Sequence, residues 1–194
     1  MTASFQPGDY GPVLSELLQT DRRRPLGPGE PDPRAGDKLR GIVAHAVFAP
    51  KEIRDVAMAQ CCISALWLLY DHLDESHKLS QEIETPSGSF LHGIMHRREG
   101  DFSNAKYWFR RVGRHPVYER LAEEAAGISR RSPRPGAGVL TLVDGSGLWD
   151  PYAFVDACQS VLGSRNDAHE FCLDVQQAEW ELLFDHCYRA ATNA

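Results

Sequence analysis

The chain has no apolar run near the ~18 residues a helix needs to cross a bilayer, and its start, MTASFQPGDYGPV, has no basic stretch leading into an apolar core. Neither membrane insertion nor export is expected, and a cytoplasmic location is. CxxC spacing is also missing. The five cysteines, Cys61, Cys62, Cys158, Cys172 and Cys187, are odd in number and mostly sit in amphipathic segments, which predicts reduced core thiols. Cys61 and Cys62 are adjacent, so on a helix they point about 100° apart, which argues against a shared redox or soft-metal site. No glycine-rich phosphate loop follows a strand: Gly136–Gly138 lacks a Lys-Ser/Thr, and DGSGLWD is too short for a Walker motif. Gly145-Ser146-Gly147 lacks the strand–turn–helix setting of a nucleophile elbow. Nucleotide binding and serine hydrolysis are thus left without a motif.

What is there describes an ordinary globular protein. At 194 residues, 42% hydrophobic and 25% charged, the chain can build one domain with a substantial core. A formal charge of −6 disfavours general nucleic-acid coating, although a local basic patch still has to be weighed by position.

Periodicity predicts an all-α protein of about seven to nine helices: a compact array of antiparallel helical hairpins with long Gly/Pro-rich loops. Residues 1–36 hold a short helix, Tyr10–Gln19, and then the arm RRRPLGPGEPDPRAGD, whose prolines and glycines predict a surface linker. Residues 37–127 form the helical body. From Pro50 strong helix formers run for over thirty positions, with a break predicted near Leu73–Glu75 and a shorter helix at Ser76–Ile83. Phe90–Glu99 and Phe102–Val112 follow, separated by Gly100-Asp101, and His115-Pro116 opens another helix. Residues 128–149 read as loop, with Val139–Val143 extended or buried. Residues 150–194 make a C-terminal pair: Tyr152–Leu162, capped by Asp150-Pro151, and a long helix to about Ala191.

The stretch SFLHGIMHRREGDFSNAKYWFRRVGRHP, Ser89–Pro116, holds most of the information. Gly93 is followed by Ala105 after twelve residues, Phe109 after four, Val112 after three and Pro116 after four. This spacing resembles a tetratricopeptide-repeat helical hairpin. The resemblance implies that Gly93 and Ala105 let two antiparallel helices approach closely, with Phe109 as the packing aromatic that fills the groove to the next repeat. His92 and His96 stand where that pattern carries apolar or aromatic groups. HRREGDFSNAKYWFRR is also similar to sequences of a bacterial family with which no activity is associated.

Two chemical readings follow. His92 and His96 are spaced i, i+4 and share a helix face, as a two-histidine metal site requires, and Glu99 continues the stripe. There is no glutamate directly after His92, so a zincin-type metalloprotease is not indicated. LLYDH and LLFDH, ending at His72 and His186, each place Asp beside His, and Asp71 and His72 are the further candidate ligands. A mixed His/carboxylate site between helices would suit Zn, Fe, Mn or Ni and would make the chain a helical metalloprotein, a hydrolase or an oxidoreductase. The bland alternative is hydrogen-bonded histidines between helices.

Arg97, Arg98, Lys106, Arg110, Arg111 and Arg114 concentrate positive charge among Tyr107, Trp108 and Phe109. Such a face would bind a protein or an anionic ligand, and it makes a helical interaction module the leading reading. Its bland counterpart is a solvated, ion-paired surface.

Overall fold

A computed structural model of the protein describes residues 5–131 and 142–192. The described residues form ten α-helices and one 3-10 turn, Pro7–Tyr10. The helices are α1 (Pro12–Leu18), α2 (Pro33–Arg40), α3 (Ala44–Phe48), α4 (Val56–Leu69), α5 (Leu73–Ser80), α6 (Pro86–Glu99), α7 (Phe102–Val112), α8 (Val117–Arg131), α9 (Pro151–Val161) and α10 (Asp167–Thr192). No strand occurs among the described residues apart from an isolated bridge between Val143 and Trp149. No described helix is long and apolar enough to cross a membrane.

Caps set most of the boundaries. Asp55, Thr85, Asp101 and Asp150 each accept a backbone N–H from the first turn of α4, α6, α7 and α9 respectively. The long segment after Pro50 starts its helix only at this Asp55 cap, and it breaks at Asp71, which takes a left-handed φ of 63°. The expectation of a surface linker without helix fails in its second half. Asp32 caps the backbone of Arg34 and Ala35, Pro33 pre-sets the first turn, and α2 forms. The first half is also docked, since Leu26 is buried. Four residues of the expected loop, Ile128–Arg131, extend α8 instead. Val139 to Thr141 lie outside the described residues, while Leu142 is buried.

Helix α6 is the centre of the molecule. Every residue from Ser87 to Arg98 is buried, so it has no solvent face. It packs on α4, α5 and α7, while α10 packs on α4, α8 and α9. Between α6 and α7, a Cβ added at Gly93 would lie 3.0 Å from the Phe109 ring, so any side chain there would push that ring aside. Ala105 is fully buried, and Phe90 meets Phe109 edge-on at 5.5 Å.

Two charged residues complete the core. Arg97 lies over the Phe154 ring at 4.5 Å and donates from both terminal nitrogens to Glu179 of α10; both side chains are wholly buried. Burial is the largest single influence and lowers the Arg97 pKa, but the charge and hydrogen bond of Glu179, with the nearby Cys158 and Cys172, together leave it raised. Arg98 donates to Leu68 O at 2.7 Å, to Gly27 O, to Pro28 O and to Asp71 Oδ1. Asp71 also pairs with Arg24, and a side chain at Gly29 would collide with its carboxylate. Replacing Glu179 with alanine should cost about 3–5 kcal/mol, because Arg97 is left charged and dry, whereas the double change Arg97→Met/Glu179→Leu should cost far less. Urea unfolding of the three proteins checks this; a Glu179→Ala loss under about 1 kcal/mol would discard the role given to the pair.

Candidate metal centre

His77 of α5 and His92 and His96 of α6 bring one ligand nitrogen each to within 4.8 Å of one another. The i, i+4 spacing sets the α6 pair, with ring centroids 4.7 Å apart and the two Nε2 atoms 2.9 Å apart. His77 reaches them because α5 packs on α6; its ring lies 4.7 Å from that of His92 and 5.3 Å from that of His96. The surroundings orient the rings. Trp108 of α7 stacks on His92 at 3.9 Å, and Ser80 Oγ lies 3.2 Å from His92 Nδ1. Asn104 Nδ2 approaches His96 Nε2 at 3.0 Å, and Glu99 Oε1 is 3.6 Å from His96 Nδ1.

Two imidazole lone pairs facing at 2.9 Å repel unless a proton or a cation lies between them. The hydrogen-bond pattern assigns the ring protons. Glu99 favours a proton on His96 Nδ1, leaving Nε2 as acceptor. The Ser80 hydroxyl donates to His77 O at 3.4 Å, so Ser80 Oγ accepts from His92 Nδ1, which carries the His92 proton and leaves a lone pair on Nε2. Burial pushes the His92 pKa down to about 3, with the charges of His96 and His77 adding to it. Burial also lowers that of His96, against the opposing pull of Glu99. Both rings are therefore neutral near pH 7, which is the state that ligates metals.

Of the ligands expected from sequence, His92 and His96 meet, and Glu99 stands on the outer side of His96. Asp71 and His72 do not join them. Asp71 is the shared partner of Arg98 and Arg24, and His72 Nε2 lies 2.7 Å from Asp32 O. The reason is the left-handed turn at Asp71, which ends α4 and directs both residues toward the arm. His77 was missed. It sits in a segment read as helical, but only the docking of α5 on α6 brings it to the pair. In LLFDH, Asp185 binds Tyr10 and Arg189, and His186 packs on His115 at 4.9 Å.

The expected basic face is divided. Arg97 and Arg98 are buried in ion pairs, so neither is available to a partner. Lys106 pairs with Asp156. Arg110, Arg111 and Arg114 are exposed, with Arg111 lying 5.2 Å from the Trp108 ring.

Two other arrangements invite a chemical reading. Ser87 Oγ lies 3.0 Å from His115 Nε2, but His115 Nδ1 accepts the backbone N–H of Val117 at 3.3 Å. Nε2 therefore carries the proton and donates to Ser87, the reverse of what a general base for a serine nucleophile requires. A groove of about 540 Å³ runs between α8 and α10, lined by Glu124, Phe171, Asp174 and Glu181 among others. No histidine is among its described lining residues. The donor geometry at His77, His92 and His96 is the stronger chemical signal. No family model, curated protein or solved structure matches the chain.

Burial, and after it the His186 charge, pushes the His115 pKa down to about 4. The ring faces Ser87, Tyr118 and His186. An unfolded histidine titrates near ~6.5, so as pH falls from there toward about 4 the unfolded chain takes up a proton that the folded chain refuses. Stability present above that window is lost through it, by on the order of 2–3 kcal/mol from this ring. The pH dependence of urea unfolding should be shallower in His115→Gln than in the parent; parallel curves would remove His115 from the account.

Proposed function

We propose that the protein is a helical metal-binding protein whose ion is held by His77, His92 and His96. The observation that carries this is the convergence of three imidazoles from two helices, with two Nε2 atoms already at 2.9 Å and all three ligand nitrogens within 4.8 Å. Ligand nitrogens on a tetrahedral ion sit about 3.4 Å apart for bonds of ~2.0–2.1 Å, so only small side-chain movements are needed. Ser80 and Trp108 supply the outer contacts that hold the His92 ring in place.

Three histidines form a borderline donor set that suits Zn and also accepts Fe, Mn or Ni. They leave a coordination position for water, and an ion there lowers the pKa of that water toward neutrality. A hydrolase is the reading with a redox-inert ion, and an oxidoreductase the reading with iron. A second reading keeps one observation in its favour: Tyr107 is 47% exposed beside Arg110 and Arg111, a surface suited to an anionic or protein partner.

The test is metal uptake by the full, tag-free chain after chelator treatment. Added Zn(II) should bind tightly and raise the melting temperature. His92→Ala should weaken uptake at the three-histidine centre more than about 100-fold, and His77→Ala, at a half-buried position where folding is readily kept, should do the same. Binding that is unchanged in a folded His77→Ala protein would refute the three-histidine centre.

A further inference from the structure

The geometry points to a second cation site on the outer side of His96, formed by its Nδ1 with the carboxylates of Glu99 and Asp101, so that His96 serves two ions at once. This rests on the three-histidine reading above.

His96 is 5% exposed; Asn104 Nδ2 lies near both of its ring nitrogens, which otherwise face different side chains. Nε2 looks inward, 2.9 Å from His92. Nδ1 looks outward, 3.6 Å from Glu99 Oε1, with Asn104 Nδ2 at 3.4 Å. A separation of 3.6 Å is too long for a hydrogen bond. It is close to the about 3.4 Å expected between two donors sharing a tetrahedral ion.

The end of α6 brings the third ligand round. Gly100 takes a φ of 90°, its N–H bonds Arg97 O, and the Asp101 N–H returns to His96 O at 3.0 Å. That closure sets the Asp101 carboxylate next to the imidazole, and the ligand atoms of His96, Glu99 and Asp101 all lie within 4.8 Å of one another. Asp101 Oδ1 also caps α7 by accepting from Asn104 N and Ser103 Oγ. Capping leaves lone pairs on the carboxylate for an ion. One nitrogen with two carboxylates is a harder donor set than three imidazoles, and so admits Mn or Fe as well as Zn. When the second ion binds, the proton on His96 Nδ1 leaves to solvent and the ring bridges as an imidazolate; no electrons are transferred.

The simpler role for Glu99 is to accept the Nδ1 proton and orient His96 toward a single inner ion. Equilibrium dialysis of the chelator-treated, tag-free chain against Zn(II), counting ions per chain, separates the two. Two ions are expected in the parent and one in Glu99→Gln/Asp101→Asn, which keeps the cap of α7 because asparagine also caps. His77→Ala should keep the outer ion, and His96→Ala should lose both. Circular dichroism confirms that each variant is folded.

If the parent stops at one ion, and Glu99→Gln weakens that ion only ten- to hundredfold, the outer site is overturned while the three-histidine centre stands. If one ion survives in His77→Ala and disappears in Glu99→Gln/Asp101→Asn, the inner centre is wrong and the shared role of His96 goes with it. No uptake at all overturns both.

Discussion

The rest of the structure depends on the requirement that two adjacent arginines in the middle of the protein never lose their carboxylates. A guanidinium cannot shed its charge to escape burial, so Arg97 and Arg98 must each find a partner inside. Being neighbours on a helix, they point about 100° apart and reach in different directions. Arg97 takes Glu179 and so ties α6 to the long C-terminal helix. Arg98 takes Asp71 and the carbonyls of Leu68, Gly27 and Pro28, so it grips the end of α4 and the N-terminal arm together. Gln176 of α10 completes the clasp by donating to Arg24 O and Pro25 O. Segments far apart in the chain are held by this one turn of helix.

The same constraint orients the histidines. A helix buried on every side could rotate among several apolar packings at little energetic difference, but with Arg97 and Arg98 anchored it cannot. His96 immediately precedes that anchor and His92 lies one turn earlier, so their direction toward α5 and α7 follows from it. Small packing choices then complete the centre. Gly93 admits the Phe109 ring, α7 comes close, and Trp108 and Asn104 arrive at the imidazoles.

Much of the helical layout could be read from local chemistry. Caps at Thr85, Asp101 and Asp150, prolines in first turns and the glycine after Glu99 mark helix ends through interactions confined to a few residues. The sequence pattern paired Gly93 with Ala105, whereas the atoms nearest to Gly93 belong to the Phe109 ring. Charge was misread because composition cannot distinguish a cation at the surface from one whose carboxylate lies 82 residues away, as Glu179 does from Arg97. His77 escaped notice for a related reason: it shares no helix face with His92, and only tertiary docking unites them. Asp71 and His72 looked like ligands by residue type, yet the left-handed turn commits them to structural partners.

One contact has an optical consequence. The chain contains four tryptophans, of which Trp67, Trp149 and Trp180 are buried at 7%, 3% and 6% exposure, while Trp108 is only partly covered. A dissolved quencher therefore meets Trp108 before the others. Because its indole lies flat on His92, whatever changes the charge of that imidazole changes the environment of the one tryptophan that is not buried. The histidine cluster carries its own emission reporter, built into the packing of α7 on α6.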